Sequence, residues 1–221
     1  MDSFGSFQAF SWTKDYLYQV LTTGKSPMLK SDNLKEAFAT VDRADFLPES
    51  VHASAYTDVD LEFAFGEKTS SPVLVAQMLE ALKLKQGDKV LELGTGAGYS
   101  LALIALAVSP GGYVYSVERN QQVSSLARSN LAKYKQISNY EIVFKDGEAG
   151  LVSRSPFDAI HVSFAYESVP EELMLQLKVG GRLVVPMTNS EIHVFERQAE
   201  KEFSQEVISA RHFDKFRPGV E

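Results

Sequence analysis

The chain has 221 residues, 44% of them hydrophobic and 23% charged, with a formal net charge of −7, which suits one sizeable globular domain or one domain with an N-terminal elaboration. It has no cysteine, excluding disulfides, thiolate metal sites and a cysteine nucleophile, and its four histidines (His52, His161, His193, His212) lack ligand spacing, so no metal site is expected. No run approaches the ~18 apolar residues of a membrane span, the N-terminus lacks the regions of a secretory signal, and no Lys/Arg cluster could track a phosphate backbone. Residues 14–24 and 32–41 carry apolar side chains at helical spacing, with Ser31 or Asp32 placed to cap the second helix. The stretch after FLPES reads as irregular as far as Ser70. Ser71 before Pro72 is an N-cap followed by proline at the first helical position, opening a helix through Val75, Leu79 and Leu82 that ends near 85–88. Strands are predicted at 89–93, 113–118, 141–144, 158–164 and 182–187. Helical segments separate them at 101–108, 121–134 and 170–178. Residues 191–198 and 203–213, parted by a charged turn, read as an antiparallel hairpin.

Several of these strands are almost continuously apolar, as in a parallel sheet covered on both faces. The expected architecture is a doubly wound, Rossmann-like α/β fold with a mostly parallel sheet, a C-terminal antiparallel hairpin and a small N-terminal helical part. The division expected is 1–71 for the helical and substrate-loop segment and 72–221 for the cofactor-binding domain, the two forming one compact unit.

The strongest chemical signal is VLELGTGAGYS, a strand that ends in Gly94, Gly96 and Gly98 and then enters a helix. Alone, such a loop is also what an ordinary glycine-rich turn looks like. Two carboxylates strengthen the ligand reading. Glu118 ends the next strand, about 20 residues on, where it can accept hydrogen bonds from ribose hydroxyls, and Asp146 follows the third strand at the same sheet edge. Nicotinamide sites use Gly-x-Gly-x-x-Gly around a pyrophosphate. Here the third glycine comes one residue early and Glu92 stands just ahead of the loop. A carboxylate there repels pyrophosphate but attracts a cationic amino-acid headgroup, directly or through water, which favours S-adenosylmethionine as the cofactor.

Longer blocks carry a family resemblance: VDRADFLPE, AYTDVDLEFAFGEKTSSP, VLELGTGAGY, VYSVER, DGEAGL, PFDAIHVSFA, VPEELMLQLKVGGRLVVPM and a C-terminal FRPG. From about residue 14 to 218 the chain resembles the protein-L-isoaspartate O-methyltransferase family. The resemblance implies a cytoplasmic, monomeric repair enzyme acting on isoaspartyl proteins and peptides, with no nucleic-acid or membrane partner. It would methylate the free α-carboxylate of isoaspartyl residues with S-adenosylmethionine, leaving S-adenosylhomocysteine. The family segment Gly-Gln-Thr-Ile-Ser-Gln-Pro, anchored on Gly66 and Pro72, puts the active-site serine at Ser70. Glu92, Gly94, Thr95, Gly96, Gly98, Tyr99, Glu118, Arg119, Asp146 and Gly147 fall on cofactor positions, and Lys68, Thr69, Phe164 and Ala165 on the substrate side. The chain departs from the family pattern at Glu67, Lys68 and Thr69, in FAYES where small residues are usual, and at Arg217 and Gly219 in the tail.

Plainer readings stand beside these. Ser71 is accounted for by capping. Lys68 is either a solvated loop charge or a partner for the substrate carboxylate. His161, within an apolar strand, reads as a satisfied core residue, and Asp158 as structural. Asp58 and Asp60 belong either to the substrate loop or to turn chemistry. Two other functions remain open: methyl transfer to a different acceptor, and a non-catalytic relative that binds cofactor and peptide.

Overall fold

A computed structural model describes residues 12–210 together with 219 and 220. The tail positions 211–213 and Arg217, on which the sequence reading also drew, lie outside the described residues. Helices α1 (Lys14–Thr22) and α2 (Asp32–Thr40) bury Leu17, Leu21, Leu34 and Phe38 on one side of each. After two 3-10 turns, Arg43–Phe46 and Glu49–Ser54, come β1 (Leu61–Ala64), β2 (Glu67–Thr69) and α3 (Pro72–Leu82). The main sheet follows with its helices: β3 (Lys89–Leu93), α4 (Tyr99–Ala107), β4 (Tyr113–Glu118), α5 (Gln121–Leu131), β5 (Tyr140–Phe144) and β6 (Phe157–Val162). The last elements are α6 (Glu171–Met174), β7 (Leu177–Pro186), β8 (Glu191–Arg197) and β9 (Phe203–Ala210). No helix of the described residues is long and apolar enough to cross a membrane.

Seven strands lie in the order β5-β4-β3-β6-β7-β8-β9, parallel through β7 and antiparallel for the last two pairings. The strand order reverses between β3 and β6, and in sheets of this kind the crevice beyond the strand ends at that point receives ligands. Alternate residues along each strand feed two cores. Val90, Val114, Ala159 and Val184 join the α1–α5 side, whereas Leu91, Val117, Ile160 and Leu183 join Leu173 and Phe157 on the other. The first core runs from Leu17 to Val194 without a break at residue 71.

Two expectations are corrected. The stretch read as irregular up to Ser70 contains the β1–β2 hairpin, with Leu61 opposite Thr69 and Glu62 opposite Lys68. Phe65 and Gly66 turn it with φ of 56° and 73°, as a type I′ hairpin turn requires. The helix expected over 170–178 is a single turn. Gln176 ends it: its carbonyl accepts from Phe157 N at 2.8 Å, and its buried amide binds Leu151 N and Ala149 O at 2.8 and 2.7 Å. These tertiary bonds outweigh helix propensity, and β7 begins at Leu177.

Candidate active site

Between β3 and α4 the chain turns through Gly94, Gly96 and Gly98, all at positive φ (88°, 52° and 94°), a region open to glycine. At Gly94 the constraint is also steric, because a Cβ would lie 2.3 Å from Ser163 Oγ. That hydroxyl donates to the carbonyls of Leu93 and Gly94 at 2.9 and 2.7 Å, tying the end of β6 to the loop. The loop forms one wall of a cavity of about 220 Å³. Phe63 from β1 packs on it, its ring 3.9 Å from where a Gly96 Cβ would stand.

Glu118 borders the same cavity. Its carboxylate accepts from Gly96 N and Asn120 N, both at 3.0 Å. Burial, with a smaller push from the Glu67 charge, holds its carboxyl above the ordinary value of 4.5, and the amide donors oppose that rise.

The adjacent serines separate cleanly. Ser71 caps α3: its Oγ accepts from Leu74 N at 3.1 Å and donates to Asp58 Oδ1 at 2.6 Å, while its amide donates to Asp60 Oδ1 at 2.7 Å. Asp58 and Asp60 therefore brace the helix start, and Asp60 also reaches the cavity. The Ser70 carbonyl is held by Arg43, a side chain only 1% exposed. Its guanidinium donates to Ser70 O at 2.9 Å and to Ala55 O at 2.7 Å. Burial lowers the Arg43 pKa to about 10. Ser70 lines the cavity, and its Oγ has no hydrogen-bond partner among the described residues.

Of the residues singled out in the sequence, Lys68, Thr69, Ser70 and Phe164 meet at this cavity. So do Gly94, Thr95, Gly96, Tyr99, Arg119 and Gly147, together with Glu118. Four others lie outside its lining. Glu92 is fully buried beneath the loop, accepting from Ser100 Oγ at 2.5 Å and Ser116 Oγ at 2.6 Å. Gly98 sits at the start of α4, where a Cβ would be 3.4 Å from Ala127. Asp146 accepts from Glu148 N at 2.9 Å and from the Gly219 amide of the tail. Ala165 is buried.

His161 needs a correction. It is buried at 2% exposure, as a core residue should be, yet neither ring nitrogen has a hydrogen-bond partner among the described residues. It also lines the cavity. Sequence reading left Asp60 between the substrate loop and turn chemistry and passed over Arg43 and Phe63 as site residues, because the roles of those two depend on contacts 12 to 33 residues away.

A doubly wound sheet with a glycine loop at its switch point, and a carboxylate at the end of the neighbouring strand, defines the class of Rossmann-like nucleotide-binding α/β folds. A family model described as Protein-L-isoaspartate(D-aspartate) O-methyltransferase (PCMT) matches residues 17–214. Protein-L-isoaspartate O-methyltransferase from Ignicoccus hospitalis is 42% identical over 159 residues, covering 72% of this chain and 75% of its own. The same-named protein from Fervidobacterium nodosum is 35% identical over 184 residues, 82% and 92% of the two chains. A solved structure named protein-L-isoaspartate O-methyltransferase superposes with a TM-score of 0.78 at 28% identity, and this chain spans 65% of its length. A Plasmodium falciparum structure, solved in complex with S-adenosyl-L-homocysteine, shares the fold at 22% identity with a TM-score of 0.75 over 86% of this chain and 92% of its own. The chain belongs to the protein-L-isoaspartate O-methyltransferase family.

Proposed function

We propose that this protein is an S-adenosylmethionine-dependent protein-L-isoaspartate O-methyltransferase that methylates the free α-carboxylate of isoaspartyl residues in damaged proteins. The observation that carries this reading is Ser70. Its hydroxyl is uncommitted to the protein and borders the same cavity as the glycine loop and Glu118, and its backbone is clamped by Arg43.

The residues present fit the cofactor. The glycines let the backbone approach a ligand closely, and Glu118 offers a carboxylate at the cavity edge for ribose hydroxyls. When bound, S-adenosylmethionine supplies an electrophilic methyl group. The acceptor carboxylate is ionised at neutral pH, its unperturbed pKa being about 4, so this chain needs no general base. What it must supply is alignment and exclusion of water. Ser70 Oγ donates one hydrogen bond that orients the carboxylate without a competing full charge. Lys68, exposed at the cavity rim, adds a cation that draws the carboxylate in. Phe63 and Phe164 give the cavity apolar surface that strips water from the acceptor.

The same reading makes the chain a cytoplasmic monomer with peptide substrates and no nucleic-acid partner; the net charge of −7 supports the last point. The test is incubation with methyl-labelled S-adenosylmethionine and either an isoaspartyl peptide or its aspartyl counterpart. A base-labile ester on the first alone is expected; equal labelling of both, or of neither, overturns the proposal.

A further inference from the structure

The peptide unit that joins Ser70 to Ser71 is held at both of its edges. On one edge the Ser70 carbonyl accepts from an Arg43 guanidinium nitrogen at 2.9 Å, and on the other the Ser71 amide donates to Asp60 Oδ1 at 2.7 Å. In a trans peptide these two groups point in opposite directions, so Arg43 and Asp60 grip the chain from opposite sides. A unit bonded at one edge can still rock about the line through its two Cα atoms, and a second, opposed bond blocks that motion. Rocking here would swing the Ser70 side chain, because it changes ψ of Ser70 while Ser71 stays rooted in α3 through Leu74 N and Asp58.

Asp60 reaches this amide from outside the helix. In a capping box the amide of the N-cap residue is taken by a Glu or Gln three residues on. Here the N-cap is Ser71 and the third residue on is Leu74, which has no side-chain acceptor. Asp60 supplies the missing oxygen from a loop that Arg43 also holds, through Ala55 O at 2.7 Å and Val59 O at 3.3 Å. One guanidinium thus ties the loop bearing Asp60 to the segment bearing Ser70. Asp60 is exposed and borders the cavity, whereas Arg43 is buried in the core. Truncating Asp60 therefore leaves no hole in the core.

We propose that Asp60 is a positioning residue for methyl transfer, its carboxylate opposing Arg43 across the 70–71 peptide so that the Ser70 hydroxyl is aimed before the acceptor arrives. This rests on the methyltransferase reading above and names the group that pre-orders its serine. The role belongs to the acceptor oxygen, not to the charge. A negative charge beside an incoming carboxylate repels it, and the Arg43 guanidinium across the same peptide offsets that charge.

The experiment is steady-state kinetics on an isoaspartyl peptide with Asp60→Ala and Asp60→Asn, each in the wild-type chain and together with Ser70→Ala. In the wild-type chain Asp60→Ala should lower kcat about tenfold, part of the hundredfold range for a misplaced group. Peptide KM and S-adenosylhomocysteine affinity should stay within about twofold. Beside Ser70→Ala the same change should alter kcat less than about twofold, since no hydroxyl is left to aim. The fall in melting temperature, which reports the helix cap, should be equal in the two backgrounds. Asp60→Asn keeps an acceptor oxygen and should hold kcat within about twofold of wild type. Equal kcat losses in both backgrounds would make Asp60 a plain helix cap or a direct peptide contact, and would overturn the proposal. So would Asp60→Asn as slow as Asp60→Ala. A wild type that leaves the isoaspartyl peptide unmethylated brings down the functional reading itself, and nuclear magnetic resonance then decides the placement alone. The Ser70 Cα and Cβ resonances, which follow its ψ, should move in Asp60→Ala and stay in Asp60→Asn. Resonances that stay in both variants, or move equally in both, refute the placement.

Discussion

Ser70 and Ser71 share a peptide bond, yet the chain uses them differently. Ser71 spends both its hydroxyl and its amide on the start of α3, while Ser70 gives only its carbonyl to Arg43. Replacing Ser70 by alanine should therefore lower kcat on an isoaspartyl peptide roughly 10²-fold, the scale of a lost alignment, with S-adenosylhomocysteine affinity and melting temperature unchanged; wild-type turnover in that variant would remove Ser70 from the mechanism. Glu118 gives a pH prediction. Burial raises its carboxyl pKa above 4.5, so the fold favours the protonated acid. Its contribution to stability is complete below the unfolded value and is lost as pH rises through the folded one. Ribose hydroxyls need the ionised form, so cofactor affinity should fall as pH is lowered through the same raised value. Glu67 adds to that rise, and Glu67→Gln should move the midpoint of the affinity profile to lower pH; titration of S-adenosylhomocysteine binding against pH in both proteins checks it. On the proposed reading, Glu67 would then tune the carboxylate that meets the ribose as well as standing at the rim. The residues that carry the loop and its acid were readable because glycine spacing and strand-end position are local facts. The state of His161 was not, since a buried histidine is satisfied or orphaned only through neighbours on other strands.

Among the elements, the β1–β2 hairpin escaped the sequence reading for a specific reason. Its two turn residues both take positive φ, a geometry usually announced by Asn-Gly or Asp-Gly, and here the first is Phe65. A bulky aromatic in the left-handed region is strained by about 1 kcal/mol, and Phe65 is 56% exposed, so it recovers little of that by burial. Phe65→Asn should accordingly raise stability by about 0.5–1 kcal/mol in urea unfolding. A loss of stability would show that the ring packs more than its exposure implies. The helix over 170–178 failed in the opposite sense: its apolar spacing was sound, but Gln176 is recruited by Leu151, Ala149 and Phe157 and the backbone leaves the helix. The parallel strands and α3 to α5 were legible because their apolar periodicity and caps agree with their tertiary surroundings.

On the scale of the whole molecule, the sequence divides at residue 71 into two segments expected to form one compact unit, and one core crosses that boundary. Leu17, Leu21, Leu29, Leu34, Phe38 and Phe46 are each at most 5% exposed and all precede it. At about 1.5–3 kcal/mol for each buried side chain, these six amount to roughly 9–18 kcal/mol as an upper bound, comparable with the typical 5–15 kcal/mol stability of a domain. Asn33 adds polar ties, its amide donating to Leu84 O at 3.0 Å and Ala107 O at 2.9 Å, and Glu80 accepts from the Lys30 and Ser31 amides at 3.1 and 3.2 Å. The N-terminal part thus completes the α3–α4 face as well as delivering Ser70 to it. The full chain should unfold in one transition with equal calorimetric and van't Hoff enthalpies, and residues 72–221 expressed alone should show no cooperative melt. Two resolved transitions, or a cooperative melt of the fragment, would make the 71/72 boundary a true domain border and Ser70 a residue carried between domains.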